Sequence, residues 1–397
     1  MMTMGLTSPT CLLAISSHGL GHLAQACPIA KASSRLAAQL NLPSIKWIVR
    51  TTIKPELVFR RLPNDGVQID HGADDFGMVM HDAMTIDLAA SLQQYAELHA
   101  NWDERVETLA NHLTNLNVDA VLADVPYLTL AAAAHVSIPS LAFCSLNWAD
   151  ILLPCVEQHP EALEVAGISS TQFDTIISQI QDAYRSASLF LCPTPSMPMP
   201  SLGNTLQIGP VCEEFDNHNS RQVLENWAAG FGLKADCLFV VVSMGGIPTA
   251  LDMQHWPTTC HGRPICYIPA GNHPSLKLPP NALSFAHWKF GYQKLLAGCD
   301  LVISKPGYGT FVEAAVLGKP LIYFERPLWP EADALSKWID SRGHAVSISA
   351  QACDLAQEIE AAMAELLSRK EAPKLHPTGN DEAARHVLQL LFESSPA

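Results

Sequence analysis

The chain has 397 residues, of which 48% are hydrophobic and only 16% charged, against roughly a quarter charged in an average soluble protein. That length exceeds one ordinary hydrophobic core and predicts two domains. A formal net charge of −15 argues against holding nucleic acid by phosphate neutralisation and against electrostatic docking on anionic lipid. Eleven cysteines without a close C-x-x-C pair read as buried thiols of a reducing compartment, not a disulfide framework or a zinc site.

The N-terminal stretch "MMTMGLTSPTCLLAISSHG" has no basic region, and its apolar run is too short for an export signal. Strand-like runs follow in chain order: "CLLAIS" (11–16), "IKWIVR" (45–50), "DAVLAD" (119–124), "PSLAFCS" (139–145) and "ASLFLCP" (187–193). The most apolar stretch, residues 128–146, is broken by His135 and Pro139 and makes a poor membrane span, so a soluble cytoplasmic protein is expected. Residues 192–217, "CPTPSMPMPSLGNTLQIGPVCEEFDN", concentrate Pro and Gly and lose periodicity, which marks a linker. Beyond it come "CLFVVVS" (237–243), "PICYIPA" (264–270), "DLVISK" (300–305) and "PLIYFER" (320–326), with an amphipathic helix at the end, "DEAARHVLQLLFE".

Apolar runs alternating with helical patterns predict an α/β protein with parallel sheets. The expected division is 1–205, 206–380, and a terminal helix 381–397 that packs back on the N-terminal domain. Ligands of open α/β sheets sit outside the carboxyl ends of the strands. The loops after "CLLAIS", "DAVLAD", "CLFVVVS" and "DLVIS" are therefore the places for chemistry.

The loop 299–333 is the richest. Strand "DLVIS" enters a turn from Lys305 to Gly309, and helix "TFVEAAVL" follows until Gly318 and Pro320. Gly307 and Gly309 let backbone N–H groups approach a ligand, and the helix N-terminus favours an anion, to which Lys305 adds charge. Glu313 is placed to accept hydrogen bonds from two ribose hydroxyls. Thr310 and Glu313 equally have the T-x-x-E spacing of a capping box, which needs no ligand. In "SSHGLGH", His18 and His22 have the imidazole chemistry of a general base near neutral pH, but Gly19 and Gly21 make the segment a turn, so the spacing does not set a metal pair on one helical face. Pro28 suggests that the following helix begins late or kinks. Asp124 ends a strand, either to orient a histidine or to cap the next helix.

These segments resemble the GT-B glycosyltransferases, two Rossmann-like domains facing a central cleft, and glycosyltransferase family 28 in particular, through Glu313, Gly318 and Pro320. "SHGLGH", "ADVPYLTLAAAAHVSIPS", "SLNWADI", "SMGG" and "SKPGYGTFVEA" are similar, in order and spacing, to the glycosyltransferase-like N-terminal region of L-arabinokinases. The stretch after residue 350 is too short for their sugar-kinase domain, so a free-standing transferase module is expected.

The resemblance implies transfer of a sugar from a nucleotide-sugar donor, UDP-linked, to an unidentified acceptor, with inversion and without a metal or other cofactor. It implies one of the two histidines as base, His18 ahead of His22, oriented by Asp124, with the other on the donor phosphates. Gly19, Gly21, Ser243, Gly245, Gly246, Lys305, Gly307, Gly309 and Thr310 would surround the diphosphate, Glu313 the ribose and Phe290 the uracil. Glu331 and Asp333 of "PEAD" would meet the donor sugar, and Asn147 and Trp148 would line the acceptor side. Competing readings are a sugar-nucleotide 2-epimerase of the same fold and a nucleotide-sugar-binding regulator without turnover.

Overall fold

Every apolar run named above forms a strand, and four further strands complete two sheets. The computed structural model describes residues 8–62, 66–214, 217–233, 236–247, 251–271, 277–370 and 372–393; residues 1–7 and 394–397, which also entered the readings of the two termini, lie outside these. By internal contacts the chain forms two units. One holds the described residues up to Val79, then Asp87–Glu213, and the chain from Pro377; the other holds Met80–Ile86 and Glu214–His376.

The first unit carries seven strands: β1 (Thr10–Ile15), β2 (Lys46–Thr51), β3 (Val67–His71), β4 (Ala120–Asp124), β5 (Ser140–Phe143), β6 (Leu189–Pro193) and β7 (Thr205–Ile208). They are parallel throughout, in the order β3-β2-β1-β4-β5-β6-β7. Parallel sheets are covered on both faces, which is why β1, β4 and β5 are continuous buried apolar runs rather than alternating ones. Helix Leu20–Gln39 buries Leu23, Ala26, Cys27 and Ile29 in the same core as Leu13, Val49 and Leu122 of the sheet. Ala383, Val387 and Leu388 of helix Gly379–Phe392 join that core, so the terminal helix belongs to this unit. Each of the Leu, Ile and Val side chains among them contributes about 1.5–3 kcal/mol when fully buried.

The second unit carries β8 (Leu238–Ser243), β9 (Thr259–Cys260), β10 (Arg263–Ala270), β11 (Leu301–Ser304), β12 (Leu321–Phe324) and β13 (Ala345–Ile348), in the order β13-β12-β11-β8-β10-β9. Only β9 runs antiparallel to its neighbour. Val240, Val242, Ile303, Ile322 and Phe324 pack with Met363 and Leu366 of helix Leu355–Ser368.

Three local expectations need correction. The Pro/Gly-rich segment contains β7, an edge strand of the first sheet, so the chain leaves the first unit after Glu213 and not at residue 205. Helix Leu20–Gln39 begins inside the expected glycine turn, with Gly21 in its first turn, and runs through Pro28, giving up the hydrogen bond that a prolyl nitrogen cannot donate. Helix Tyr308–Leu317 starts two residues earlier than expected, with Gly309 inside its first turn, and ends at Gly318 in the left-handed region (φ +67°). All eleven cysteines are free thiols and all but Cys353 are buried. Among the described residues no helix is long and apolar enough to cross a membrane.

Candidate functional site

At the carboxyl edge of the first sheet the ladder pairs Ile15 with Asp124, and the Ser16 amide donates to the Asp124 carbonyl at 2.8 Å. The turn after β1 therefore stands beside the end of β4. Helix Leu20–Gln39 opens there on Gly19, with no side-chain cap and no acid in its first turn. A Cβ at Gly19 or Gly21 would meet nothing within 4 Å, so packing within the chain does not demand glycine at either position. Four amide donors at such a helix start lack an intrahelical partner, which suits an anion.

His22, in the first turn of that helix, is buried and its Nδ1 lies 2.9 Å from Oδ1 of the fully buried Asp124. This corrects two expectations. Asp124 is hydrogen bonded to His22, and it does not cap the following helix, Tyr127–His135, whose N-cap is Pro126. The carboxylate accepts, so Nδ1 carries the proton and the imidazole lone pair is on Nε2. His18 has the opposite arrangement: its Nδ1 accepts from the Met78 amide at 3.2 Å, which puts the proton of the neutral ring on Nε2. Its ring is wedged against Gly77, where φ is +75° and a Cβ would stand 2.5 Å from His18 Cγ. The ring centres of the two histidines are 6.5 Å apart. Cys144 completes a trio: its Sγ is 3.8 Å from His22 Nδ1, and the donor atoms of His22, Asp124 and Cys144 lie within 4.8 Å of one another. The expectation of no metal ligands did not anticipate this donor set.

Trp148 is fully buried against both histidines, at ring distances of 5.2 Å from His18 and 6.0 Å from His22. Its Nε1 donates to Asp75 at 2.7 Å. Burial pushes the Asp75 carboxyl up to about 6, against the Trp148 hydrogen bond, the His22 charge and a Ser16 hydrogen bond, which lower it. The neighbouring Asp74 is clamped by Arg50, Nε to Oδ2 at 2.6 Å and Nη2 to Oδ1 at 2.9 Å, and accepts from Thr129 at 2.6 Å. This fixes the loop that aims Asp75. Asn147 has a local task instead. It caps helix Trp148–Gln158, accepting from the Asp150 amide at 2.9 Å and donating to its carboxylate at 2.7 Å, and it is fully buried. Trp148 thus joins the histidines, whereas Asn147 is occupied as a helix cap.

In the second unit Ser304 pairs with Ser243 in the ladder and donates to its carbonyl at 2.7 Å, which sets the turns after β8 and β11 side by side. Gly245 takes φ +83°, and a Cβ there would stand 3.6 Å from Lys305 Cε; Gly246 follows, exposed. Helix Tyr308–Leu317 opens on Gly307 without a side-chain cap. Thr310 is therefore the third helical residue, not the cap, and the capping-box reading of Thr310 and Glu313 fails. Glu313 is buried and its charge acts on Tyr292, whose hydroxyl is pushed up first by burial and then by Glu313, with Ser243 and Thr310 opposing. The Tyr292 hydroxyl is buried beside the Ser243 and Thr310 side chains.

Phe290 is 56% exposed, its ring 5.1 Å from that of Trp288, two residues before Tyr292. Glu331 is buried and accepts from Trp329 Nε1 at 3.0 Å. Asp333 lies on the outer face of the same helix, Glu331–Ser341, in an exposed pair with Lys337 at 2.6 Å, so the two acids of "PEAD" are not brought together.

No family model matches the chain. It is 25% identical over 328 residues to the L-arabinokinase of Arabidopsis thaliana, a match covering 82% of this chain but 29% of that protein, so it spans under a third of that relative's length. Among solved structures it is similar to the kitacinnamycin glycotransferase, with a TM-score of 0.57, 15% identity, and 98% of this chain and 95% of that one covered. The calicheamicin glycosyltransferase matches at 0.55, with 16% identity and 98% and 100% covered. The spinosyn forosaminyltransferase matches at 0.55, with 14% identity and 99% and 96% covered. The chain has the GT-B glycosyltransferase fold. Within this fold His18, Asp124, Trp148, Ser243 and Lys305 lie at or just beyond the carboxyl ends of strands of their own sheets, whereas Phe290 and Asp333 do not. Asp75, Cys144, Tyr292 and Arg326 are additions that sequence reasoning missed. Of these only Asp75, in the paired acids of "DDFGM", and Arg326, closing "PLIYFER", carried a local signal.

Proposed function

We propose that this protein is an inverting glycosyltransferase using a nucleotide-sugar donor, UDP-linked, and that it works without a metal. The observation that carries the reading is the buried His22–Asp124 pair beside an uncapped helix start in a glycosyltransferase fold. Nε2 of His22 takes the proton of an acceptor hydroxyl, and Asp124 stabilises the imidazolium that forms. The acceptor oxygen forms a bond to the anomeric carbon as the bond from that carbon to the diphosphate breaks, in one displacement that inverts the centre. The charge released on the diphosphate is met by the amides at Gly307 and Tyr308, the helix dipole and Lys305. Glu313 accepts from the ribose hydroxyls, and Glu331, not the surface Asp333, faces the donor sugar. His18 holds the loop and Trp148 in place and is not the base.

The test combines binding and turnover. UDP should raise the midpoint of thermal unfolding, and a UDP-sugar should release UDP when a suitable acceptor is added. Glu313→Gln should weaken UDP binding about 10- to 100-fold, the worth of hydrogen bonds to a charged group, while the fold survives. Unchanged affinity in the folded variant removes Glu313 from the site. Conversion of the donor to its epimer without an acceptor would replace transfer by epimerisation.

A further inference from the structure

Three side chains able to ligate a metal converge at the carboxyl edge of the first sheet. Asp124 ends β4, Cys144 directly follows β5, and His22 stands in the first turn of helix Leu20–Gln39. The ladder sets their elements side by side, since β4 pairs with β1 through Asp124 and Ile15 and with β5 through Ala123 and Ala142. His22 Nδ1 is 2.9 Å from Asp124 Oδ1 and 3.8 Å from Cys144 Sγ, and the three ligand atoms lie within 4.8 Å of one another. Around a tetrahedral zinc ion with bonds of about 2.0–2.3 Å, ligand atoms stand roughly 3.3–3.6 Å apart. Side-chain adjustments of about an ångström at most bring the trio to that spacing.

The donor set also selects the cation. Imidazole, thiolate and a single carboxylate suit zinc and its transition-metal neighbours, whereas magnesium and calcium take oxygen ligands throughout. All three side chains are buried, Asp124 and Cys144 completely. The Asp124 carboxylate and a Cys144 thiolate bring two negative charges, which a divalent cation neutralises, so the filled site buries no net charge. Three protein ligands leave the fourth tetrahedral position to water.

We propose that His22, Asp124 and Cys144 form an inhibitory site for a zinc-class divalent cation, which stops turnover by occupying His22 Nδ1. The inhibition rests on the reading of His22 as base; the site itself rests on the donor geometry alone. The metal takes the place of the hydrogen between Nδ1 and Asp124. That proton passes through solvent to Nε2, and Cys144 gives its thiol proton to solvent as the metal–sulfur bond forms. A neutral ring with a metal on Nδ1 carries its proton on Nε2, so the lone pair that takes the acceptor proton is no longer there. Turnover therefore needs no metal and is blocked by one, and Cys144, which the transfer step does not use, supplies the sulfur that selects the cation.

Cobalt(II) is the probe, because four-coordinate Co²⁺ with a thiolate ligand absorbs in the visible and near ultraviolet where zinc is silent. The full chain carries Cys353→Ser throughout, which removes the one exposed thiol. One Co²⁺ per chain should give tetrahedral and sulfur-to-cobalt bands, and Zn²⁺, which such sites bind more tightly, should bleach them. Cys144→Ser should abolish the sulfur band. Both Cys144→Ser and His22→Gln should weaken Co²⁺ binding by at least the roughly 10- to 100-fold that even an outer-shell partner is worth. Zn²⁺, kept far below the donor concentration so that the donor is not sequestered, should lower kcat by about 10²–10⁴ at saturation of the site, the worth of the general base. EDTA should restore the rate, and Mg²⁺ and Ca²⁺ should leave it unchanged. Absence of the sulfur band, or a band that survives in folded Cys144→Ser, overturns the inference and leaves the transfer reading standing. Should Cys144→Ser fail to fold, undiminished Co²⁺ binding by His22→Gln overturns it equally. A site that fills with Zn²⁺ while kcat stays untouched overturns the inhibition and, with it, His22 as the base.

Discussion

Asparagine in place of Asp124 removes one negative charge from the histidine pair and little else, since an amide oxygen can still accept from Nδ1. The two residues meet at 2.9 Å and both are buried. When His22 takes the acceptor proton it becomes an imidazolium facing a carboxylate. With roughly 4 Å between charge centres and an effective permittivity of about 20, that attraction is about 4 kcal/mol. At about 1.4 kcal/mol per decade the ceiling is about 10³ in rate. Asp124→Asn should therefore lower kcat by about 10²–10³ and leave KM for the donor within about threefold, measured as UDP release with saturating acceptor. Because the two groups act as a unit, the double variant His22→Ala/Asp124→Asn should be no slower than His22→Ala alone. A folded Asp124→Asn protein with kcat within about threefold of the parent, or losses that multiply in the double variant, would refute the arrangement.

His18→Ala should cost less than about tenfold in kcat, whereas His22→Ala should cost about 10²–10⁴, the usual worth of a general base; the reverse order would return the role to His18. Asp75 supplies a pH test of stability. The folded chain retains a proton up to about pH 6 that the unfolded chain releases near its ordinary 3.8, so this contribution is complete below about pH 4 and is lost as pH rises through about 6, roughly 3 kcal/mol in all. Urea unfolding of Asp75→Asn should show that slope flattened and higher stability at pH 7, and an unaltered slope would show that the carboxyl ionises normally. Turnover should survive chelation with EDTA, because amides, a helix dipole and Lys305 carry the diphosphate; strict dependence on an added divalent ion would contradict this.

The interior strands were legible because each is covered on both faces, so its own residues are nearly all apolar: "CLLAIS", "DAVLAD" and "CLFVVVS" announce themselves without their neighbours. The four strands that were not legible, β3, β7, β9 and β13, are the outermost strands of the two sheets. An edge strand is covered less, and polar runs such as "VQIDH" and "TLQI" become strands only because a neighbouring strand offers them a ladder. The glycine turns and their positions after strands were likewise local properties of the chain, and so was the candidacy of His18, His22, Asp124 and Glu313. Local sequence could not assign partners. His18 and His22 are four residues apart and chemically alike, and what separates them is that one ring nitrogen meets a carboxylate 102 positions away while the other meets the amide of Met78. The same holds for Glu313, whose capping alternative disappeared when the helix began at Tyr308, and for Asp333, which its helix turned toward solvent. Residue type and periodicity determine which groups are available. Hydrogen-bond partners, and with them tautomer and charge, depend on which strand lies beside which, and that is decided only when the sheets form.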